Sequence, residues 1–170
     1  MPVVGVSVIE FPNSWGAHPD DAFTIAEQCM KEFEGCNTIT YSICPHAPYT
    51  VGDAVLVKCR DFQRTHGLLM HSHMHETLDE VENSSKGLGT KGQGGRHLSD
   101  ECCRPFANYQ RLGLLSDSFV GAHCVHCDAS DIELMKVPLL RVDALAPRPV
   151  TRSSRPRTAV LRPAPCPTAN

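Results

Sequence analysis

No stretch of this chain reaches the ~20 consecutive apolar residues that a membrane-spanning helix requires, so no membrane partner is expected. The opening Met1-Pro2-Val3-Val4-Gly5-Val6 lacks the basic residues and cleavage pattern of a secretion signal. The nine cysteines lack any pairing pattern: their number is odd and their spacings are scattered. Without a secretion signal, such cysteines are expected to be reduced thiols in a cytoplasmic protein. Cys124-x-x-Cys127 lacks a good second pair, since Cys102-Cys103 offers poor chelating spacing. A four-ligand zinc knuckle with His126 is therefore not the favoured reading. A basic groove is missing too. Of the chain's net −3, residues 137–170 carry +5 (six Arg, one Asp), which leaves −8 on residues 1–136. An acidic body argues against a nucleic-acid partner.

What is present is a globular composition, 41% hydrophobic and 21% charged. Val3–Ile9 is an apolar, β-branched run that reads as a buried strand. Asp20 and Asp21 open a helix whose apolar face is Ala22, Ile25, Ala26, Cys29, Met30 and Phe33, and Gly35 stops it. Thr38–Cys44 is a second strand. Thr50 with Asp53 resembles a capping box that opens a helix through about Arg64, and Gly67 ends that unit. Leu68–His73 is a third strand, followed by a short helix after Thr77. The glycine-rich Asn83–Gly95 reads as a loop, Asp100 as the cap of a helix to about Leu112, and Phe119–Ala122 as a fourth strand. Asp128 and Asp131 open a last helix to Met135.

Four β-α units in a row predict an α/β fold with parallel strands and right-handed crossovers. That is half of a (β/α)8 TIM-type barrel, in keeping with 170 residues against the ~250 of a complete one. The open edges of a half barrel would invite pairing with another chain, so self-association is an expected property. From Val137 onward the pattern changes. Seven of the thirteen prolines lie in residues 137–170, and neither structural period survives. The expected division is therefore a partial barrel over 1–136 and a disordered Pro/Arg-rich tail over 137–170. Because the break falls inside a good helix, a frame shift or mispredicted exon is its expected origin. Sequencing the transcript across the Lys136 codon checks this.

Three motifs carry chemistry. In Leu68-Leu69-Met70-His71-Ser72-His73-Met74-His75-Glu76-Thr77, period-two alternation sends His71, His73 and His75 to one side of a strand end. Imidazoles bind zinc and related metals, and Glu76 stands where it can handle protons beside a metal-held water. Val120-Gly121-Ala122-His123 places a further histidine at a strand end, and Pro45-His46-Ala47-Pro48-Tyr49 holds another in a proline-stiffened turn. All three fall at the carboxyl ends of successive strands, where βα barrels build their sites.

His46-Ala47-Pro48-Tyr49, His73-Met74-His75-Glu76-Thr77 with Asp79-Glu80-Val81, and Ala122-His123-Cys124-Val125-His126 closely resemble three successive blocks of the amidohydrolase superfamily. The best match is its branch of 5-methylthioadenosine/S-adenosylhomocysteine deaminases and triazine chlorohydrolases. Arg111-Leu112-Gly113-Leu114-Leu115 looks like that branch's segment before a strand. The resemblance covers about residues 1–136 and implies the third to sixth strands of the barrel. It implies that His73 is a metal ligand and that His123 lies near the metal and the attacked carbon. It further implies that Glu76 passes a proton to a ring nitrogen and that His46 contacts the substrate. One divalent metal is implied, zinc first and iron second, with a small purine-like substrate that loses an amino group as ammonia. His71, His75 and His126 receive no role. The branch's His-x-His pair falls ahead of Met1, and its eighth-strand Asp has no counterpart in the tail, where Asp143 is the only acid. This chain alone is therefore expected to be inactive. The alternative expectation is a non-catalytic interaction protein that pairs its open edges with another chain.

Overall fold

The structure, a computed structural model, describes residues 2–14, 16–88 and 102–139, apart from the side chains of 137–139. The glycine-rich run from residue 89, the Asp100 cap and the tail from residue 140 lie outside the described residues. Strand β1 (Val3–Val8) leads to helix α1 (Pro19–Glu32), and β2 (Thr40–Pro45) to α2 (Asp53–His66). Then come β3 (Leu69–Met74), α3 (Leu78–Ser85), α4 (Pro105–Arg111), β4 (Phe119–His123) and α5 (Ala129–Leu139). The sheet runs β1-β2-β3-β4 with every neighbouring pair parallel. This is the predicted series of four βα units in a partial barrel. The described sheet leaves one edge of β1 and one of β4 outside its own ladders.

The helices cover one face of the sheet. Val6, Val8, Ile43, Met70 and Met74 point into that layer, each 0% exposed, and meet Leu56, Cys59, Phe106, Tyr109 and Leu114. On β3 the alternation is clean. Met70, Ser72 and Met74 are buried, whereas Leu69 and His71 are exposed and His73 is half-buried. Ser72 can lie in the apolar layer because its hydroxyl is hydrogen-bonded to the Tyr109 hydroxyl at 3.0 Å. Among the described residues the opposite face, in a closed barrel the interior, stands open, with Leu69 42% and Val120 44% exposed. At Gly5 a Cβ would come within 2.9 Å of the Cys44 sulfur, so a glycine lets β1 and β2 carry side chains of such different size side by side.

Several local expectations are met through different atoms. Asp21 secures the start of α1 by accepting hydrogen bonds from the amides of Ala17 and His18, both at 2.9 Å. The predicted face of α1 is buried at Ala22 and Ala26, but Phe33 is 46% exposed beyond the helix end. Thr50 and Asp53 do not form a capping box. The N-cap of α2 is Gly52, and the Thr50 hydroxyl turns back to His46 and Ala47. Asp53 instead reaches across to Asn108 and Arg111 on α4. Helix α3 continues through Ser85, three residues into the expected loop, with the Ser85 hydroxyl donating to the Val81 carbonyl at 2.8 Å. Helix α5 extends past Lys136 to Leu139.

Gly67 closes α2 in the left-handed region at φ 63°, and a Cβ there would meet nothing within 4 Å. Gly67→Ala should therefore cost only its backbone penalty, about 1–2 kcal/mol, and Gly67→Asn clearly less. Urea unfolding of the two variants checks this ranking, and equal losses would contradict it.

Candidate active site

The candidate residues lie where the carboxyl ends of β2, β3 and β4 meet. His46 follows directly on β2, and its carbonyl accepts the His73 amide at 3.0 Å, which extends the β2–β3 ladder by one step. The His46 ring is fixed by Thr50, whose hydroxyl sits 2.9 Å from Nδ1. His46 and His73 meet edge to face with ring centres 5.1 Å apart. Across the β3–β4 ladder, where Met74 pairs with His123, the rings of His73 and His123 stack at 4.9 Å. Their nearest nitrogens, His73 Nδ1 and His123 Nε2, are 3.0 Å apart. Glu76 Oε1 lies 3.8 Å from His123 Nε2, and the Tyr49 hydroxyl donates to Glu76 Oε2 at 3.5 Å. His46, Glu76, His73 and His123 thus converge on one point. Beside it a concavity of about 200 Å³ is lined by Ser7, Cys44, His46, His71, Ser72 and His73.

The backbone around this point is held under tension. His75, His123 and Cys124 adopt φ of 51°, 69° and 53°, which costs non-glycine residues ~1–3 kcal/mol each and is concentrated at functional sites. Glu80 stabilises the turn after β3. Its buried carboxylate accepts the amides of His75 at 2.8 Å and Glu76 at 2.9 Å, which aims the Glu76 side chain back toward His123. Burial pushes the Glu80 carboxyl above the usual range, and the backbone donors pull against that shift. Burial, then the neighbouring His73, lowers the His46 pKa and favours its neutral ring.

His75 departs from the expected alternation. With φ at 51° it leaves the strand path and swings to the helix side, fully buried against Phe106, instead of joining His71 and His73. There His75, Cys127 and Asp131 place one donor atom each within 4.8 Å of one another, a cluster able to hold a divalent metal. Sequence reasoning noted the Cys124-x-x-Cys127 spacing but paired it with His126. The histidine beside it is His75, some 50 residues upstream, which only the β3–β4 pairing brings near.

The pair His73 and His123 also suits a metal. A tetrahedral zinc with Zn–N bonds of ~2.0–2.1 Å puts its ligand atoms about 3.3 Å apart, close to the 3.0 Å between these nitrogens. Two imidazoles that face each other nitrogen to nitrogen at this distance can hold one cation between them. The described residues supply this pair and Glu76, and a full catalytic zinc set has three protein ligands.

Comparison with known proteins fits this arrangement. The profile of the amidohydrolase family matches residues 9–162. The 5-methylthioadenosine/S-adenosylhomocysteine deaminase of Thermodesulfovibrio yellowstonii is 28% identical over 133 residues, covering 78% of this chain and 27% of that protein. A 5'-deoxyadenosine deaminase from Methanococcus maripaludis is 33% identical over 114 residues, covering 65% of this chain and 24% of the relative. Among solved structures, an adenosine deaminase from Xanthomonas campestris with bound zinc superposes with a TM-score of 0.66 at 30% identity. The superposition covers 78% of this chain and 27% of the other. The chain thus spans about a quarter of the length of the curated relatives it matches.

Proposed function

Because the chain belongs to the amidohydrolase family, we propose that it carries the central strands of a metal-dependent hydrolase that cleaves C–N bonds of cyclic amidines. The proposed reaction is deamination of adenosine-like purines such as 5-methylthioadenosine or S-adenosylhomocysteine. The observation that carries the reading is the 3.0 Å approach of His73 and His123 at adjacent strand ends, with Glu76 beside them. In this reading His73 is a metal ligand, and His123 stands by the metal and the carbon under attack. Glu76 moves a proton to the ring nitrogen, and His46 contacts the purine. The ion would be zinc, with iron as the other candidate, and when bound it supplies a water acidic enough to act as nucleophile near neutral pH. Tyr49 holds one Glu76 oxygen, which leaves the other to face the ring, and the amides clamped by Glu80 keep the carboxylate from swinging away.

The proposed setting is cytoplasmic, in keeping with the free thiols of all eight described cysteines. Among the described residues, no helix is long and apolar enough to cross a membrane. The substrate is the one partner we assign. Nucleic acid is not proposed as a partner, and self-association through the outer edges of β1 and β4 is. The division after Lys136 is proposed on charge and proline content, and the family match running to residue 162 is the observation that weighs against it.

Zinc bound by the purified chain at equilibrium, read by dialysis against buffered zinc, tests the site. His73→Ala should lose roughly one bound ion relative to the parent. Identical zinc content in the two proteins would refute the assignment of His73.

A further inference from the structure

His75, Cys127 and Asp131 lie on the helix side of the sheet, away from the open face that carries His71 and His73. Cys124 stands in Cys-x-x-Cys spacing with Cys127 and packs against the same buried layer, so the chelating pair it makes with Cys127 would complete a four-ligand set with these three. From this geometry we infer that Cys124, Cys127, His75 and Asp131 form a second, structural metal site for a thiophilic divalent ion such as zinc, separate from His73 and His123.

The donor set is of the right kind. Two sulfurs, one imidazole and one carboxylate select zinc over magnesium or calcium, which prefer oxygen alone. His75 is held loosely enough to turn toward an ion. Its Nδ1 contacts are 3.3 Å to the His126 carbonyl and 3.4 Å to Asp131, and the Phe106 amide stands 3.4 Å from Nε2. All three exceed the ~2.9 Å of a firm hydrogen bond. Asp131 is 1% exposed and is gripped by Arg104, whose Nε lies 3.2 Å from Oδ1. Oδ2 takes the Arg104 guanidinium and the Asp128 amide, the latter at 2.9 Å, so that grip can persist through Oδ2 while the less engaged Oδ1 turns to the metal, the usual way outer partners orient a liganding carboxylate.

Charge also balances. On binding, Cys124 and Cys127 each release a thiol proton to solvent, and His75 binds as the neutral ring. Two thiolates and one carboxylate then face one divalent cation and the Arg104 guanidinium, a neutral assembly in a mostly buried place. The ion would join the end of β3 (His75), the β4–α5 connection (Cys124, Cys127) and the first turn of α5 (Asp131). It would thereby fix the two strained turns on which Glu76 and His123 stand.

Cobalt(II) titration of the full chain tests this, because thiolate coordination gives an intense near-ultraviolet charge-transfer band that imidazole and carboxylate ligands do not. The band should saturate at one cobalt per chain, persist in His73→Ala and vanish in Cys127→Ser. Zinc should displace the cobalt and raise the melting temperature of the parent but not of Cys127→Ser. Should Cys127→Ser fail to fold, alkylation of the parent followed by mass mapping decides the matter. Zinc should slow labelling of Cys124 and Cys127 together by tenfold or more and leave exposed Cys36 unchanged. No thiolate band in the parent, a band that survives Cys127→Ser, or labelling indifferent to zinc would overturn the proposal. The His73 assignment stands or falls separately, on the ion lost in His73→Ala.

Discussion

Supplied with zinc and 5-methylthioadenosine, the purified 170-residue chain is expected to release no ammonia above the uncatalysed rate. Enzymes of ordinary efficiency accelerate their reactions at least ~10⁶-fold, and that whole factor is predicted to be missing. Two physical reasons lead there. A catalytic zinc is held by three protein ligands with a fourth position left for water, and the described residues bring two imidazole nitrogens to the point of convergence. A cation held by two ligands exchanges quickly and is poorly positioned. The second reason is water. The side chains of His123 and Glu76 are 37% and 40% exposed, and among the described residues the sheet face that carries them stands open. Charges in such a place are screened, so whatever orientation Tyr49 and Glu80 impose on Glu76 loses most of its electrostatic effect. A coupled assay for ammonia with and without zinc reads the result. A zinc-dependent rate that disappears in Glu76→Gln would show that the half site suffices, and would move the missing ligands to a second copy of the chain.

Much of the fold was legible because each level of the sequence agreed with the next. The period-two run of β3, the apolar face of α1 and the glycine after α2 all pointed to alternating strands and helices, and the four-unit parallel sheet followed. His46, His73, Glu76 and His123 were legible as a group because strand ends in such a sheet converge, so three separated motifs had one place to meet. What escaped was whatever depended on a single dihedral or on contacts far along the chain. His75 has the parity of His71 and His73, and only the turn at φ 51° sends it to the other side. Sequence pattern registers alternation and carries no signal for the residue at which a strand stops alternating. Asp53 was misread for a related reason. A Thr followed three residues later by an acid fits a local cap, yet the carboxylate satisfies Asn108 and Arg111 more than 50 residues away.

That misreading has a measurable consequence, because Asp53→Ala should be far more costly than loss of a helix cap. A cap is worth ~1 kcal/mol, with its acceptor at the edge of solvent. Asp53 is 4% exposed, accepts from Asn108 Nδ2 at 2.8 Å and is bound by the Arg111 guanidinium. Removing one partner of a buried ion pair costs ~3–5 kcal/mol, since the other charge keeps its desolvation without the attraction that offset it. Arg111 is 32% exposed and can recover some hydration, so a loss near the lower bound, about 3 kcal/mol, is expected. Against a total stability of ~5–15 kcal/mol for an ordinary domain, that is enough to leave a half barrel largely unfolded at modest urea. Asp53→Asn separates the two contributions. It keeps an acceptor for Asn108 and removes the charge facing Arg111, so it should recover only that hydrogen bond, about 1 kcal/mol, and still cost about 2 kcal/mol. Urea midpoints with unchanged slopes would give these differences directly. A loss of only ~1 kcal/mol in Asp53→Ala would mean that the carboxylate acts as a simple N-terminal cap after all. A large loss shared equally by both variants would assign the effect to the charge on Arg111, and α2 and α4 would then be joined mainly by that one ion pair.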